Sequence, residues 1–279
     1  ASSVFFKTSL LQKHKIFFDE KVKPIFEDGH FVNKLLIFEP EINIAFLKKP
    51  IYYWRKRLDQ SSTMDKAWID PRRFYDALKY GLLDLVLLSK KKNDNIPEYL
   101  QRFVIYHLSW YFNKIIFKKF SLKFLSEKEI NDFKNILNEL FTYIDTDVIV
   151  SSKLGAMYHK VKLGILYTYK NYEKINTQIY YIDKYDENNN ILNIRFYQHD
   201  KKINEKFFLN NKKLEFKLLN INKLDFFEEK YIFEIHISIE LKGKWEYLNV
   251  YSESKTCYFS YKKEKFKKSI QIKNIKGDK

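Results

Sequence analysis

Phe233-Glu234-Ile235-His236-Ile237-Ser238-Ile239-Glu240-Leu241 alternates apolar and polar residues without a break. In an extended chain successive side chains point to opposite faces, so this run has one dry face and one wet face. That pattern predicts a strand of an antiparallel sheet with one side in water. Lys242-Gly243 reads as a turn, and Trp245, Tyr247 and Tyr251 carry the alternation past it. Working back, strands are expected at Thr177 to Asp183, Ile191 to Gln198 and Leu214 to Leu219, with Asp186-Glu187-Asn188-Asn189-Asn190 as a loop. Residues 176–279 are therefore expected to form an antiparallel β-sandwich.

Before about Asn176 the period changes to that of a helix. Asp70-Pro71 is a helix start, with an oxygen acceptor at the N-cap and a proline where no backbone donor is needed. Phe74, Ala77, Leu78, Gly81, Leu82, Leu85 and Leu88 follow at helical spacing. Pro97 opens a second helix, whose apolar face includes Leu100, Phe103, Val104, Leu108 and Phe112. Ser126 and Glu129 form a capping-box pair ahead of Ile130, Phe133, Ile136, Leu137 and Leu140. A last helix is expected over Ala156 to Tyr172. Residues 67–175 thus read as a helical linker domain, and residues 1–66 as a third, mixed segment. In that segment Lys7 to His14 and Gly29 to Leu36 read as helices, and Ile42 to Leu47 and Ile51 to Arg57 as strands. The fold class expected is α+β, multidomain.

Composition narrows the function. The 279 residues include 51 Lys plus Arg and 35 Asp plus Glu, a net charge of +16. Such a charge favours anionic partners, although compositional drift toward Lys, Asn, Ile, Tyr and Phe would also produce it. Aromatic residues make up 18% of the chain and glycine and proline are scarce, which argues for a packed globular protein. The single cysteine, Cys257, excludes an internal disulfide and a cysteine-rich zinc site, and reads as a packing residue. No apolar run approaches the roughly 18 to 20 residues that span a bilayer, and no signal peptide is visible. The longest run, Gly81 to Leu88, is broken by Asp84. There is no glycine-rich phosphate loop and no nucleophile elbow. Nucleic-acid binding rests on net charge and aromatics alone and is disfavoured.

Chemistry concentrates near the start. Phe26-Glu27-Asp28-Gly29-His30-Phe31 places a carboxylate pair at a helix N-terminus, where the dipole favours the ionised form. About two dozen residues on come Tyr52-Tyr53-Trp54-Arg55-Lys56-Arg57 and Gln60-Ser61-Ser62-Thr63. Asp28 is the candidate general base for activating a hydroxyl; its plain structural alternative is a helix cap. Arg55 and Arg57 offer planar forks to phosphate oxygens, or a solvated strand face, and Ser61 and Ser62 add donors. His30 stands next to the pair, with a local structural role equally open. His107 lies on an apolar helix face and reads as a core group.

Phe17-Phe18-Asp19-Glu20, then Glu27-Asp28 with Phe31, then the aromatic-arginine run and the hydroxyl cluster, resemble in order and spacing the acceptor subdomain of family 2 glycosyltransferases. The resemblance covers roughly residues 2–66, about a quarter of the chain. It implies a partial GT-A fold in which Asp28 is the catalytic base of an inverting transfer. It places Glu27, His30, Arg55, Arg57, Ser61 and Ser62 at the acceptor or the departing diphosphate. Helical and β-sandwich segments after the catalytic domain are similar to those of bacterial enzymes acting on teichoic acid or capsular polysaccharide. The resemblance further implies a nucleotide-sugar donor and a divalent metal, Mn or Mg, for a full enzyme. The donor-binding half and its Asp-x-Asp motif normally precede this region. Asp145-Thr146-Asp147 has the letters of that motif but the wrong order, and reads as a helix-end loop. Opening without Met at Ala1, the chain is expected to be a fragment that holds no metal site, binds no nucleotide sugar and is inactive alone. The expected partner is an anionic glycan polymer, and the expected location is the cytoplasm, at the inner face of the membrane. Membrane association and homo-oligomerisation stay open. The alternative is a non-catalytic module that binds anionic glycan or scaffolds a polymer synthase.

Overall fold

A computed structural model of the chain describes residues 4–45, 48–49, 51, 53, 66–117, 120–155, 157–172, 175, 177–209, 211–226, 229–241, 247–251, 256–260 and 271–272. Two compact units result, Ala1–Leu108 with Ser121–Ser152, and Ser109–Phe120 with Lys153–Lys279.

The first unit is helical. Helix α1 covers Thr8–His14 and ends on Lys15 in the left-handed conformation, φ 52°. Helix α2 covers Glu27–Phe38 and buries His30, Phe31, Asn33, Leu35 and Ile37. Asp70 accepts from the Arg72 backbone N–H at 3.0 Å and caps a short 3-10 turn, Pro71–Phe74. Where an α-helix is expected next, Ala77–Leu83 is π-helical before regular helix α3, Asp84–Asn93. Helix α4, Glu98–Phe117, follows Pro97, and its first half belongs to this unit. Helix α5, Glu127–Thr142, opens with the capping box, Ser126 Oγ accepting from Glu129 N and Glu129 Oε2 accepting from Ser126 N. Helix α6 covers Thr146–Ser151. Its N-cap, Asp145, accepts at Oδ2 from Gln101 Nε2 and donates its backbone N–H to Gln101 Oε1. The Asp145-Thr146-Asp147 run is thus a helix start pinned to α4.

In the second unit helix α7 covers His159–Tyr169, shorter than the expected Ala156 to Tyr172. Asn171 adopts φ 47° and Tyr172 N reaches back to Leu166 O, the left-handed closure that ends a helix. Nine strands follow among the described residues: β1 Thr177–Asp186, β2 Ile191–Gln198, β3 Lys206–Leu209, β4 Lys212–Leu214, β5 Phe216–Phe226, β6 Glu229–Glu240, β7 Tyr247–Tyr251, β8 Thr256–Ser260 and β9 Gln271–Ile272. One sheet has the order β5-β6-β2-β1-β8 and the other β4-β3-β7-β9. A single hydrophobic cluster draws on both, from Tyr180, Ile194, Ile235, Ile237 and Ile239 in one to Phe207, Leu209 and Leu248 in the other.

Two differences from expectation have clear causes. Pairing is antiparallel except for β1 with β8 and β7 with β9, which are parallel. These partners lie far apart in sequence, and parallel pairing needs a long return connection. Instead of one strand over Leu214 to Leu219, Leu214 pairs with Phe207 in one sheet and Phe216 with Ile239 in the other. The chain changes sheet at Glu215 while its alternation runs on, so no sequence signal marks the break. In the first segment Ile42 to Ala45, Ile51 and Tyr53 are not in strands; the remainder of the two strands expected there lies outside the described residues. Tyr247 and Tyr251 fall in β7 as anticipated, and Lys242, Gly243 and Trp245 lie outside the described residues.

Candidate active site

Asp28 stands in the first turn of α2, as the sequence predicts. The residue before its neighbour Glu27 is unusual: Phe26 is the N-cap with φ 77° and ψ 0°. A left-handed phenylalanine costs about 1–2 kcal/mol and must be held by packing. Its ring meets the edge of the His107 ring at 4.2 Å between centroids. Behind it, Gly81 in the π-helical stretch makes room: a Cβ there would lie 3.2 Å from Val22 Cγ1 and 3.6 Å from Phe26 Cβ. The irregular helix thus accommodates the loop that aims Asp28.

Gly29 performs a similar service on the other side. A Cβ on it would stand 2.8 Å from Phe103 Cζ and 4.0 Å from His107 Nε2. The start of α2 therefore lies directly against α4, and His107 is brought beside Asp28. The His107 ring also contacts Phe103 at 4.4 Å and Tyr106 at 5.3 Å. Burial lowers the His107 pKa to about 4, more than the Asp28 charge raises it; Arg73 adds to the lowering. His107 is consequently neutral at physiological pH. Burial works to raise the Asp28 carboxyl, while the Gly29 backbone N–H, donating to Oδ1 at 2.6 Å, works to lower it. Asp28 is thus ionised at neutral pH, half-buried, and walled by aromatic rings and a neutral imidazole. Arg73 is 4% exposed and its guanidinium lies 3.6 Å from the Trp68 ring centroid.

Sequence reading placed His107 in the core and missed its position at Asp28. The two are 79 residues apart, and no local signal joins them. Glu27 is exposed. His30 takes the structural role: it is 0% exposed and its Nε2 bonds Asp84 Oδ2 at 3.0 Å. His30 lies two positions on from Asp28, about 200° around the axis, so they serve different faces of α2. Arg55, Arg57, Ser61 and Ser62 lie outside the described residues.

The His30 face of α2 borders a cleft of about 450 Å³, lined in part by His14, Phe17, Phe18, Asp19, Lys34, Phe38 and Asp84. That volume falls in the usual range for small-molecule sites, roughly 300–1,000 Å³. Phe18 stacks on Phe31 at 4.5 Å, yet Phe17 and Phe18 remain 72% and 58% exposed. Lys34 Nζ sits between carboxylates, 3.9 Å from Asp84 and 4.0 Å from Asp19. The hydrogen bond from His30 holds the Asp84 carboxyl below its ordinary range, against burial and with help from Lys34. Asp84, which interrupts the longest apolar run, is therefore the polar wall of this cleft.

Among the described residues no group of three or more His, Cys, Asp or Glu side chains is placed to hold a metal ion. The described residues therefore do not fit a divalent cation. Among the same residues no helix is long and apolar enough to cross a membrane.

No protein-family profile matches the chain. Over 185 residues it is 34% identical to the minor teichoic acid biosynthesis protein GgaB of Bacillus subtilis (strain 168), a match that takes in 64% of this chain and 20% of that protein. Over 151 residues it is 28% identical to the minor teichoic acid biosynthesis protein GgaA of the same organism, covering 54% of this chain and 33% of that protein. The chain spans between a fifth and a third of the length of these curated relatives.

Proposed function

We propose that the chain is the acceptor-side part, with accessory helical and β structure, of a GT-A glycosyltransferase that adds sugar to a teichoic-acid-type polymer. The carrying observation is Asp28 in the first turn of α2, ionised and half-buried against a neutral His107. The similarity to two proteins of teichoic acid biosynthesis supports the polymer class.

In the proposed step an acceptor hydroxyl oxygen attacks the anomeric carbon of a nucleotide sugar. The bond from that carbon to the diphosphate breaks, the nucleoside diphosphate leaves with its electron pair, and the hydroxyl proton passes to Asp28. A neutral His107 suits this role, because an imidazolium at that point would weaken Asp28 as a base. Glu27, Arg55, Arg57, Ser61 and Ser62 are proposed at the acceptor and diphosphate. The nucleotide sugar and its divalent metal would be bound by other parts of the whole enzyme. In this reading the two sheets form a sandwich around their shared core, and the enzyme works at the cytoplasmic face of the membrane.

The test is Asp28→Asn in a protein that includes the donor-binding half. Turnover should fall about 10²- to 10⁴-fold, the range for loss of a general base, with the melting temperature retained. Unchanged turnover removes Asp28 from the mechanism and leaves the non-catalytic, anionic-glycan-binding reading, which the charge of +16 favours.

A further inference from the structure

The outer face of the five-stranded sheet carries a polar constellation that the transfer step does not use. Strand register sets it out in two rows. Tyr181, Arg195, His236 and Asn220 lie side by side across β1, β2, β6 and β5. Tyr197, Glu234 and Asn222 form the next row. At about 4.8 Å per strand the first row is about 14 Å wide.

The side chains are organised by one another. Arg195 Nε and Nη2 donate to Asp183 at 3.1 to 3.3 Å, and Arg195 Nη1 donates to the Tyr197 hydroxyl at 2.6 Å. The Tyr197 hydroxyl donates to Glu234 Oε2 at 2.8 Å. Glu234 Oε1 accepts from Asn222 Nδ2 at 3.1 Å and lies 2.9 Å from His236 Nε2. Lys160 of α7 sits over the Tyr197 ring at 5.8 Å, at one end of the cluster. The other end is open: Asp183 is 36% exposed, Arg195 and His236 are 28% exposed, and Asn220 is exposed.

Stability alone does not account for this arrangement. Half-exposed ion pairs contribute about 0–1 kcal/mol each, and apolar replacements often do as well. What the network does provide is a preorganised plane of donors and acceptors beside the partly exposed Tyr181 ring, which suits the paired hydroxyls and apolar faces of sugars, while the Tyr197 ring, 1% exposed, contributes only its hydroxyl. Both carboxylates are engaged within it, by Arg195, Tyr197, Asn222 and His236. The flanking Lys184 and Lys217 are exposed on this face, as is Glu240, so the cationic groups lie beside the network rather than within it. With its Nε/Nη2 edge on Asp183 and Nη1 on Tyr197 and Glu234, Arg195 keeps one Nη2 hydrogen, a single charged donor that a phosphate oxygen can accept.

We propose that this sheet face is a binding site for a phosphate-bearing glycan, held by Arg195, His236, Asn220 and the Tyr181 ring. Only the identity of the ligand rests on the polymer reading above. The site would hold a segment of acceptor polymer away from the reacting hydroxyl.

The test is titration of the chain with an oligomer of sugar-phosphate repeats, the same oligomer dephosphorylated, and inorganic phosphate. The phosphorylated oligomer should bind about tenfold tighter than the dephosphorylated one. Arg195→Gln should lose about tenfold or more in affinity. Because removing Arg195 exposes Asp183 to imbalance, Asn220→Ala is the second variant: it should weaken binding about threefold with an unchanged melting temperature. The proposal is overturned if neither oligomer binds, if both variants bind as the parent does, or if inorganic phosphate binds as tightly as the oligomer. Loss of transfer in Asp28→Asn alongside absent oligomer binding would remove this site and leave the proposed reaction standing. Intact binding with unchanged Asp28→Asn turnover would do the reverse.

Discussion

Gly164 lies beneath the ring of Tyr231 so closely that a Cβ on the glycine would stand 1.8 Å from Tyr231 Cζ. The Tyr231 hydroxyl donates to Val161 O at 2.8 Å, and its ring packs on Phe112 and Phe226. Within the second unit this contact seats α7 on β6.

Replacing a helical glycine with alanine ordinarily stabilises by about 1 kcal/mol. Here overpacking reverses the sign. Gly164→Ala should destabilise by about 2–3 kcal/mol, read as a lower denaturant midpoint with an unchanged slope. A rise in the midpoint would show that the Tyr231 ring moves freely.

His107 gives the first unit a pH dependence. Its pKa is lowered from 6.5 to about 4 on folding, so at mildly acidic pH the unfolded chain takes up the proton and the folded chain does not. The contribution is fully present above pH 6.5 and is lost as pH falls toward 4. The full loss is about 3 kcal/mol by linkage. His107→Phe, which keeps the ring contacts, should flatten stability between these limits. An identical pH profile for parent and variant would contradict the burial of a neutral imidazole.

Asp84 and Lys34 should differ in consequence although both face the cleft. Asp84→Ala leaves His30 Nε2, fully buried, without its acceptor, a loss of about 1–3 kcal/mol. Lys34 contributes only long contacts near 4 Å to two carboxylates, so Lys34→Ala should change stability by less than about 1 kcal/mol. Equal effects in thermal unfolding would contradict the role assigned to the His30 bond.

Ser126→Ala removes one half of the capping box of α5 and should destabilise by about 1 kcal/mol. Ser126→Asp should recover most of it, since a carboxylate also accepts from the backbone and suits the helix N-terminus. A variant no better than alanine would contradict the cap.

Local rules in the sequence determined several things about this protein. Ser126 and Glu129 cap a helix, Asp70 caps a turn ahead of Pro71, and Ile235, Ile237 and Ile239 point inward. Each depends on neighbours within a few residues, where spacing alone sets geometry. The position of Asp28 in the first turn of α2 was legible for the same reason. Only the tertiary structure decided that His107 stands beside Asp28, that Gly29 clears Phe103, that Glu215 is a change of sheet, and that Arg195 meets Asp183, Tyr197 and Glu234. These relationships join residues from different elements, and they follow from packing and strand register, which no single stretch of chain encodes.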